Sequence, residues 1–363
     1  MLALIEIKRR KLQFGLVTGV VALISYLIIM VTGLGLGLNE QAGTGLLSLN
    51  GDHLAYASNA NLSVIRSRLT EEHVADIQAA PGVQQGTPVG YIAVVVEYAP
   101  DESNTAATLG VIPGSFAEPA VVEGRQLSAP DEVLVDRAWV RLAETGIGET
   151  LPLPVGFETR DFTVVGVVDQ GYFFFQPTVY VSLEDWQGLA YQGDLAGRPA
   201  ASIVLLQGDG IDSMRGEGWE VVTKQEGFRN IEGVAAQQST VNALRYMGLL
   251  IGTLVIGVFF YVITLQKVSL LGILKAIGAP GTFLVTQGLL QVFLVALSGA
   301  LISVVLALVT EATLLSSDTV PIAFNTRALV TSSGFVVIGG MVGAALSVRQ
   351  VATIDPIIAM QQQ

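Results

Sequence analysis

The stretch FFYVITLQKVSLLGILKAIGAP, residues 259–280, decides how the chain is read. Its first half closes an apolar run that begins near Val241. At ~1.5 Å per residue, such a run is long enough for a helix to cross a ~30 Å hydrocarbon core. After Lys267 the pattern changes: Leu270, Ile273, Leu274 and Ile277 recur at i, i+3, i+4 and i+7, and Gly278-Ala279-Pro280 stops the helix. A membrane span therefore turns into a short, one-faced helix over 267–280. Gly272 lies on its barer face, which allows another protein to approach closely.

Working outward, the chain of 363 residues is 51% hydrophobic and 14% charged, too greasy for an ordinary soluble protein. Four segments have the length of a span: Gln13–Leu38, Val241–Gln266, Phe283–Thr313 and Ala328–Val348. The first follows Lys8, Arg9, Arg10 and Lys11, but its apolar run exceeds the ~7–15 residues of a signal peptide and predicts an uncleaved anchor. Residues 39–240 form one inserted domain. Lys8–Lys11, Lys267, Lys275 and Arg349 fall on one side of a four-span topology. The positive-inside tendency makes that side the cytoplasm. The expectation is an α-helical membrane protein of the plasma membrane, with four transmembrane helices and an inserted α+β extracytoplasmic domain. Both termini are expected in the cytoplasm. Its segments are 1–38, 39–240 and 241–363. Most of the acidic residues behind the net charge of −12 lie in the inserted domain, and without cysteine no disulfide holds it.

Within that domain HLAYAS and SVIRSRL read as strands, and Thr70 is placed to cap a helix that stops at Pro81-Gly82. VGYIAVVVEYA, ATLGVIPG, DFTVVGVVDQG, TVYVSLEDWQGLA, ASIVLLQ and WEVVT continue the β-rich alternation. Asp136 is placed to cap a helix ending at Gly146 or Gly148. Residues 223–240 predict a helical stalk leading into the second span. GLGLGLN, residues 33–39, suits helix packing with a flexible exit, and Gly248/Gly252 and Gly339/Gly343 allow close helix contact.

No GxxxxGK[ST], His-x-x-x-His or Gly-x-Ser-x-Gly pattern occurs, and two histidines without cysteine argue against a structural zinc. The chain is not expected to be an enzyme, to hold a resident metal or to bind nucleic acid.

LLGILKAIGAP resembles the cytoplasmic signature of the FtsX/MacB-type ABC permeases, and TIDPIIAM, with Asp355 and Pro356, resembles the closing motif of that family. The arrangement of one span, a large domain and three further spans is similar over essentially the whole chain. FFYVITLQKVSLLGILKAIG, supported by DEVLVDRAWVRLAETGIGETLPL and MVTGLGLGL, is most similar to the heme-exporter branch. The resemblance implies a homodimeric permease in the bilayer that works with two copies of a separate cytoplasmic ABC ATPase (HrtA-like). That ATPase binds the ATP, and heme is the transported substrate. It implies that Gly272, Ile273, Lys275 and Gly278 shape the ATPase contact, with Asp355 and Pro356 as structural support.

A porphyrin is a flat apolar disc with two carboxylates, so it needs a greasy slot, an iron ligand and a cation. In the spans the candidates are Tyr26 and Met30, then Tyr246, Met247 and Tyr261, with Met30 favoured. Arg245 and Glu311 are ionisable groups at membrane depth, where such groups tend to be functional. Arg245 is placed to meet a propionate or to pair with Glu311. Two rival readings stay open: a permease for a peptide, lipid or antibiotic, and an FtsX-like mechanotransmission protein that controls a cell-wall enzyme.

Overall fold

The computed structural model describes residues 2–156, 158–192, 197–314 and 321–353, so the Asp355-Pro356 motif lies outside the described residues. The chain divides into two compact units, Met1–Gly37 with Gln237–Gln363, and Leu38–Ala236.

The chain opens with α1 (Leu2–Arg9) and α2 (Lys11–Leu47), which kinks at Gly43. The inserted unit then runs β1 (His53–Ala57), α3 (Glu71–Gln78), β2 (Val83–Ala99), β3 (Glu102–Val111), β4 (Val121–Gly124), β5 (Glu132–Asp136) and α4 (Arg137–Ala143). It continues with β6 (Thr150–Val155), β7 (Glu158–Val168), β8 (Tyr172–Phe173), β9 (Gln176–Ser182), α5 (Leu183–Tyr191), β10 (Ile203–Gly208), β11 (Arg215–Gly216), β12 (Trp219–Thr223) and α6 (Lys224–Arg229). The sheet order is β11-β12-β1-β10-β2-β3-β9-β5-β7-β4, with β6 beside β7 and β8 beside β9. β3/β9 and β5/β7 are parallel and the other pairs antiparallel, so the unit is a mixed-sheet α+β domain. β2 joins its two halves, pairing β10 through Val83–Val89 and β3 through Gly90–Ala99. One core gathers Leu69, Ile77, Leu206 and Trp219 under α3, and another gathers Trp139, Phe162 and Trp186 under α4 and α5. Gly90 and Gly110 leave the room that the Trp186 ring fills, and a Cβ at either would collide with it.

The helix starts follow local chemistry. The Thr70 hydroxyl accepts the His73 amide at 3.3 Å while His73 Nδ1 accepts the Thr70 amide, a reciprocal capping box. Asp136 accepts the Ala138 amide at 2.8 Å and Ser182 the Asp185 amide at 3.0 Å. Four local readings are corrected. SVIRSRL is a series of turns, because Ser67 Oγ takes the Ala57 amide and Arg66 Nε donates to the Ala60 carbonyl. TVYVSLEDWQGLA divides at Ser182, whose cap turns the second half into α5. The helix after Asp136 stops at Glu144, which takes the left-handed conformation (φ 53°) before either glycine. Residues 223–240 are not one stalk: α6 ends at Asn230, Gly233 adopts φ 85°, and a new helix begins at Val234.

That helix, α7 (Val234–Leu265), is followed by α8 (Val268–Ala276), α9 (Gly281–Leu314) and α10 (Thr326–Thr353). Among the described residues four helices, α2, α7, α9 and α10, are long and apolar enough to cross a membrane. Small residues bring them together. Gly252 of α7 lies under Ile24 of α2, Gly248 under Ile28, and Gly343 of α10 against the Thr253 backbone of α7. Buried hydroxyls add interhelical bonds. Ser303 of α9 donates to Ser25 at 2.7 Å, and Ser332 of α10 to Thr32 at 3.3 Å. Gly33 and Gly37 pack against Phe324 and Pro321 as parts of an α2 that stays helical to Leu47, so GLGLGLN is helix contact and not a flexible exit.

Candidate functional site

α8 begins at an ionic anchor. Lys267, its N-cap residue, is buried, with its side chain 9% exposed. Its ammonium donates to Glu6 Oε2 at 2.6 Å and to Gln291 Oε1 at 3.4 Å, while Gln291 Nε2 donates to the same Glu6 oxygen at 3.0 Å. The Phe14 ring lies 5.8 Å from Nζ, and next to it Gln13 donates to Gln266 at 3.3 Å. Burying an ammonium costs several kcal/mol, and only pairing of this quality offsets it. One lysine thus ties α1, α2 and α9 to the origin of α8.

The far end of α8 is equally defined. The Ala279 amide reaches the Leu274 carbonyl at 3.0 Å and the Gly278 amide the Lys275 carbonyl at 3.1 Å, the Schellman pattern, with Gly278 at φ 99°. Between the two ends, Leu270, Ile273 and Ile277 form an exposed apolar stripe, Ile277 at 75%. Gly272 is buried, so the apolar stripe and not the glycine face is presented outward. Lys275 is half-buried. Of the four expected contact residues, Ile273 lies on the open stripe, Gly278 ends the helix, and Gly272 faces the protein.

The remaining candidates divide by height. Ile24 meets Gly252, Ile28 meets Gly248 and Val241 meets Gly35, an antiparallel register that sets Met30 level with Tyr246. α9 runs parallel to α2, with Gly299 against Val21 and Ser303 against Ser25, which puts Glu311 within about a turn of Met30. Met30, Arg245, Tyr246, Met247 and Glu311 therefore share one band, with Tyr26 one turn away. Tyr261 is fifteen residues from Tyr246 along α7, ~22 Å at 1.5 Å per residue. Met30 is half-buried, and Tyr246 and Met247 are exposed on a lengthwise apolar face of α7 with Leu250, Leu254 and Val258. The Tyr26 hydroxyl is 2.9 Å from Thr310 Oγ1, which commits it to helix packing. The Arg245 guanidinium lies over the Phe335 ring at 5.2 Å; no ion pair joins it to Glu311 among the described residues.

The ion pairs of the inserted unit staple loops. Arg125 grips Glu132 with two bonds, at 2.8 and 2.5 Å, and Glu132 also accepts the Ser128 and Ala129 amides. The Arg125 bonds outweigh burial and hold this carboxyl at about 2. Asp136 accepts the amides of Ala138, Gln170 and Gly171, yet burial pushes its carboxyl above the usual range. Arg160 bridges Asp131 and Asp185. Among the described residues no three His, Asp or Glu side chains converge to hold a metal ion.

Sequence reasoning used Lys267 only as a topological marker and did not foresee Glu6 and Gln291 as its partners. The signal available was one acid ahead of the basic cluster Lys8–Lys11 and one lysine at a span end.

Residues 14–213 match the family described as the MacB-like periplasmic core domain, and residues 242–356 match the FtsX-like permease C-terminal family. An uncharacterized ABC transporter permease of Mycobacterium bovis is 23% identical over 360 residues, covering 98% of this chain and 97% of its own. A protein of Staphylococcus haemolyticus, provisionally named as the hemin transport system permease HrtB, is 22% identical over 356 residues, covering 98% and 97%. A Staphylococcus epidermidis protein with the same provisional name is 31% identical over 144 residues, 40% of this chain and 41% of its own.

Proposed function

The chain belongs to the FtsX-like, MacB-like ABC transporter permeases, and from that premise we propose that it takes heme from the cytoplasmic membrane and expels it, driven by a separate ATPase. The observation that carries the drive is α8: a two-turn helix with an exposed apolar stripe, anchored at its origin by the buried Lys267–Glu6–Gln291 cluster. Such a stripe suits docking on a cytoplasmic ATPase of the HrtA-like kind, with both termini on that side and the mixed-sheet domain outside. Because Lys267 joins α8 to α1 and α9 by charge-assisted bonds, a push on the stripe moves several helices together. Two copies of the permease would form the unit on which an ATPase pair closes.

Heme as the cargo is supported by the names of the staphylococcal relatives and by the band around Met30. Within that band Met30 offers a thioether to the iron and Arg245 a cation to a propionate, beside the open apolar face of α7. Tyr261 lies ~22 Å along α7 from the band and is left out of the proposed heme site.

The test pairs the permease with the ATPase that co-purifies with it. The expected result is a heme Soret band that shifts with Met30→Leu and is unchanged by Tyr261→Phe, together with hemin sensitivity on deletion. Ile273→Glu should release the ATPase. Normal hemin tolerance without a Soret band would overturn heme as cargo while leaving the ATPase-driven permease intact, and a cell-wall defect would favour mechanotransmission. Unaltered ATPase association in Ile273→Glu would show that α8 is not the docking helix.

A further inference from the structure

β8 and β9 are joined by a two-residue turn: Phe173 pairs with Gln176, leaving Phe174 and Phe175 at the tip. Their φ angles are 50° and 64°. Positive φ at both central positions is the type I′ hairpin geometry, for which Asn-Gly is the favoured pair because a bulky side chain is strained there. Two phenylalanines in this place work against the local fold, and strain of this kind persists where surrounding structure enforces it and a function uses it.

The enforcement is visible. At the kink of α2, the Gln41 carbonyl accepts the Phe175 amide at 2.8 Å and the Ala42 carbonyl accepts the Phe174 amide at 3.0 Å. The Tyr172 amide donates to the Thr44 hydroxyl at 3.2 Å. Phe174 is held by ring contacts with Phe173 at 4.5 Å and Tyr91 at 5.3 Å. Among the described residues Phe175 makes no ring contact of this kind, and it stays 41% exposed.

The place of the turn along the chain names the partner. The apolar run of α2 gives way to Asn39-Glu40-Gln41, so the carbonyl that holds Phe175 is three residues past Leu38, or ~4.5 Å of helix rise. That depth matches the boundary between hydrocarbon and headgroups, where aromatic rings gain by burying an apolar face. We propose that the Phe174-Phe175 turn is a membrane-interface contact, with the Phe175 ring seated among lipid headgroups and upper acyl carbons. The geometry gives the strained turn a use: it fixes a ring next to the residues that follow the first apolar run, at a height set by backbone bonds to Gln41 and Ala42.

The chain contains no cysteine, so Phe175→Cys gives one unique labelling position in the full-length permease, and Ile147→Cys, at an exposed site, gives a control in the same unit. Both carry a nitroxide in phosphatidylcholine nanodiscs, and relaxation by oxygen is compared with relaxation by a water-soluble nickel chelate. The expected result is an oxygen-to-nickel ratio several-fold higher at 175 than at 147. Equal ratios would place the tip in water. Exclusion of both reagents would mean that a protein surface covers it, and either outcome overturns the proposal. Phe175→Trp provides a reading without the label, because the native Trp139, Trp186 and Trp219 are buried. Lipids brominated near the headgroup should quench this variant more than the native chain, and equal quenching would likewise overturn the lipid contact.

Discussion

Lys267–Glu6 and Arg125–Glu132 are chemically alike, each a cation held to a glutamate by short charged bonds, yet they occupy different media. Arg125 is 53% exposed, and its glutamate keeps two backbone amides of its own. Lys267 is buried in a greasy bundle, and among the described residues its ammonium bonds to Glu6 and Gln291 alone. Where water is near, a lost partner is replaced by solvent; in the bundle nothing replaces it. The outer pair is a staple on one loop, whereas the inner one decides the position of three helices and of the apolar stripe on α8.

Breaking the inner pair on one side should therefore cost the most. Lys267→Met leaves Glu6 without its cation and is expected to lower stability by ~3–5 kcal/mol, read as thermal unfolding in nanodiscs. Removing all three polar groups, with Lys267→Met, Glu6→Leu and Gln291→Leu, should restore most of that loss but not ATPase stimulation, since α8 is then no longer tied to α1. If the single and triple variants unfold alike, the buried pair is not what holds α8.

Packing errors come next. Gly343→Leu forces a side chain against the Thr253 backbone where the helices touch and should cost ~1–3 kcal/mol, while Gly334→Leu, which meets no neighbour, should cost far less. Equal effects would show that the α7–α10 contact is loose, and would remove the rigid frame that gives the Lys267 anchor its leverage.

The two regions also differed in how far the sequence revealed them. α8 was legible because period and stop signal lie within a dozen residues, and the β-rich domain because its alternation is local. Glu6 was not, because its partner is 261 positions away and α1 is too short for its period to stand out. The band around Met30 needed the α2–α7 register, which no single helix encodes. The Phe174-Phe175 turn ran against its own signal, since residues of that kind argue for strand. Ser182 was readable as a cap, yet the strand pattern on both sides of it concealed α5.

The outer pair offers a smaller, pH-resolved effect. Glu132 is held at about 2 in the folded state, against ~4.3 in an unfolded chain. A depressed carboxyl contributes stability that is fully present above ~4.3 and is lost as pH falls through about 2. With the half-exposed Arg125 discounted for screening, Glu132→Gln should be ~1–2 kcal/mol less stable than the native chain at pH 6, the gap roughly halved at about pH 3 and nearly closed at about pH 2. A gap that persists undiminished at about pH 2 would mean that shape and not charge holds the loop, and the contrast with Lys267 would then rest on packing.

The smallest effect belongs to Arg137, which lies 3.6 Å from Glu123 and 3.5 Å from Asp169 with all three side chains more than 40% exposed. Each pair loses in side-chain ordering about what it gains in attraction, so Arg137→Met should change stability by no more than ~0.5 kcal/mol and by less in high salt. The value of this measurement lies in its position on the scale. The Arg137 pairs keep both partners in water, the Arg125 pair keeps only its cation there, and the Lys267 pair is largely withdrawn from it, so if burial sets the worth of an ion pair in this chain, the three losses must rise in that order. A large loss at Arg137 would break the ordering, and would move the explanation of the Lys267 anchor from its medium to its particular geometry.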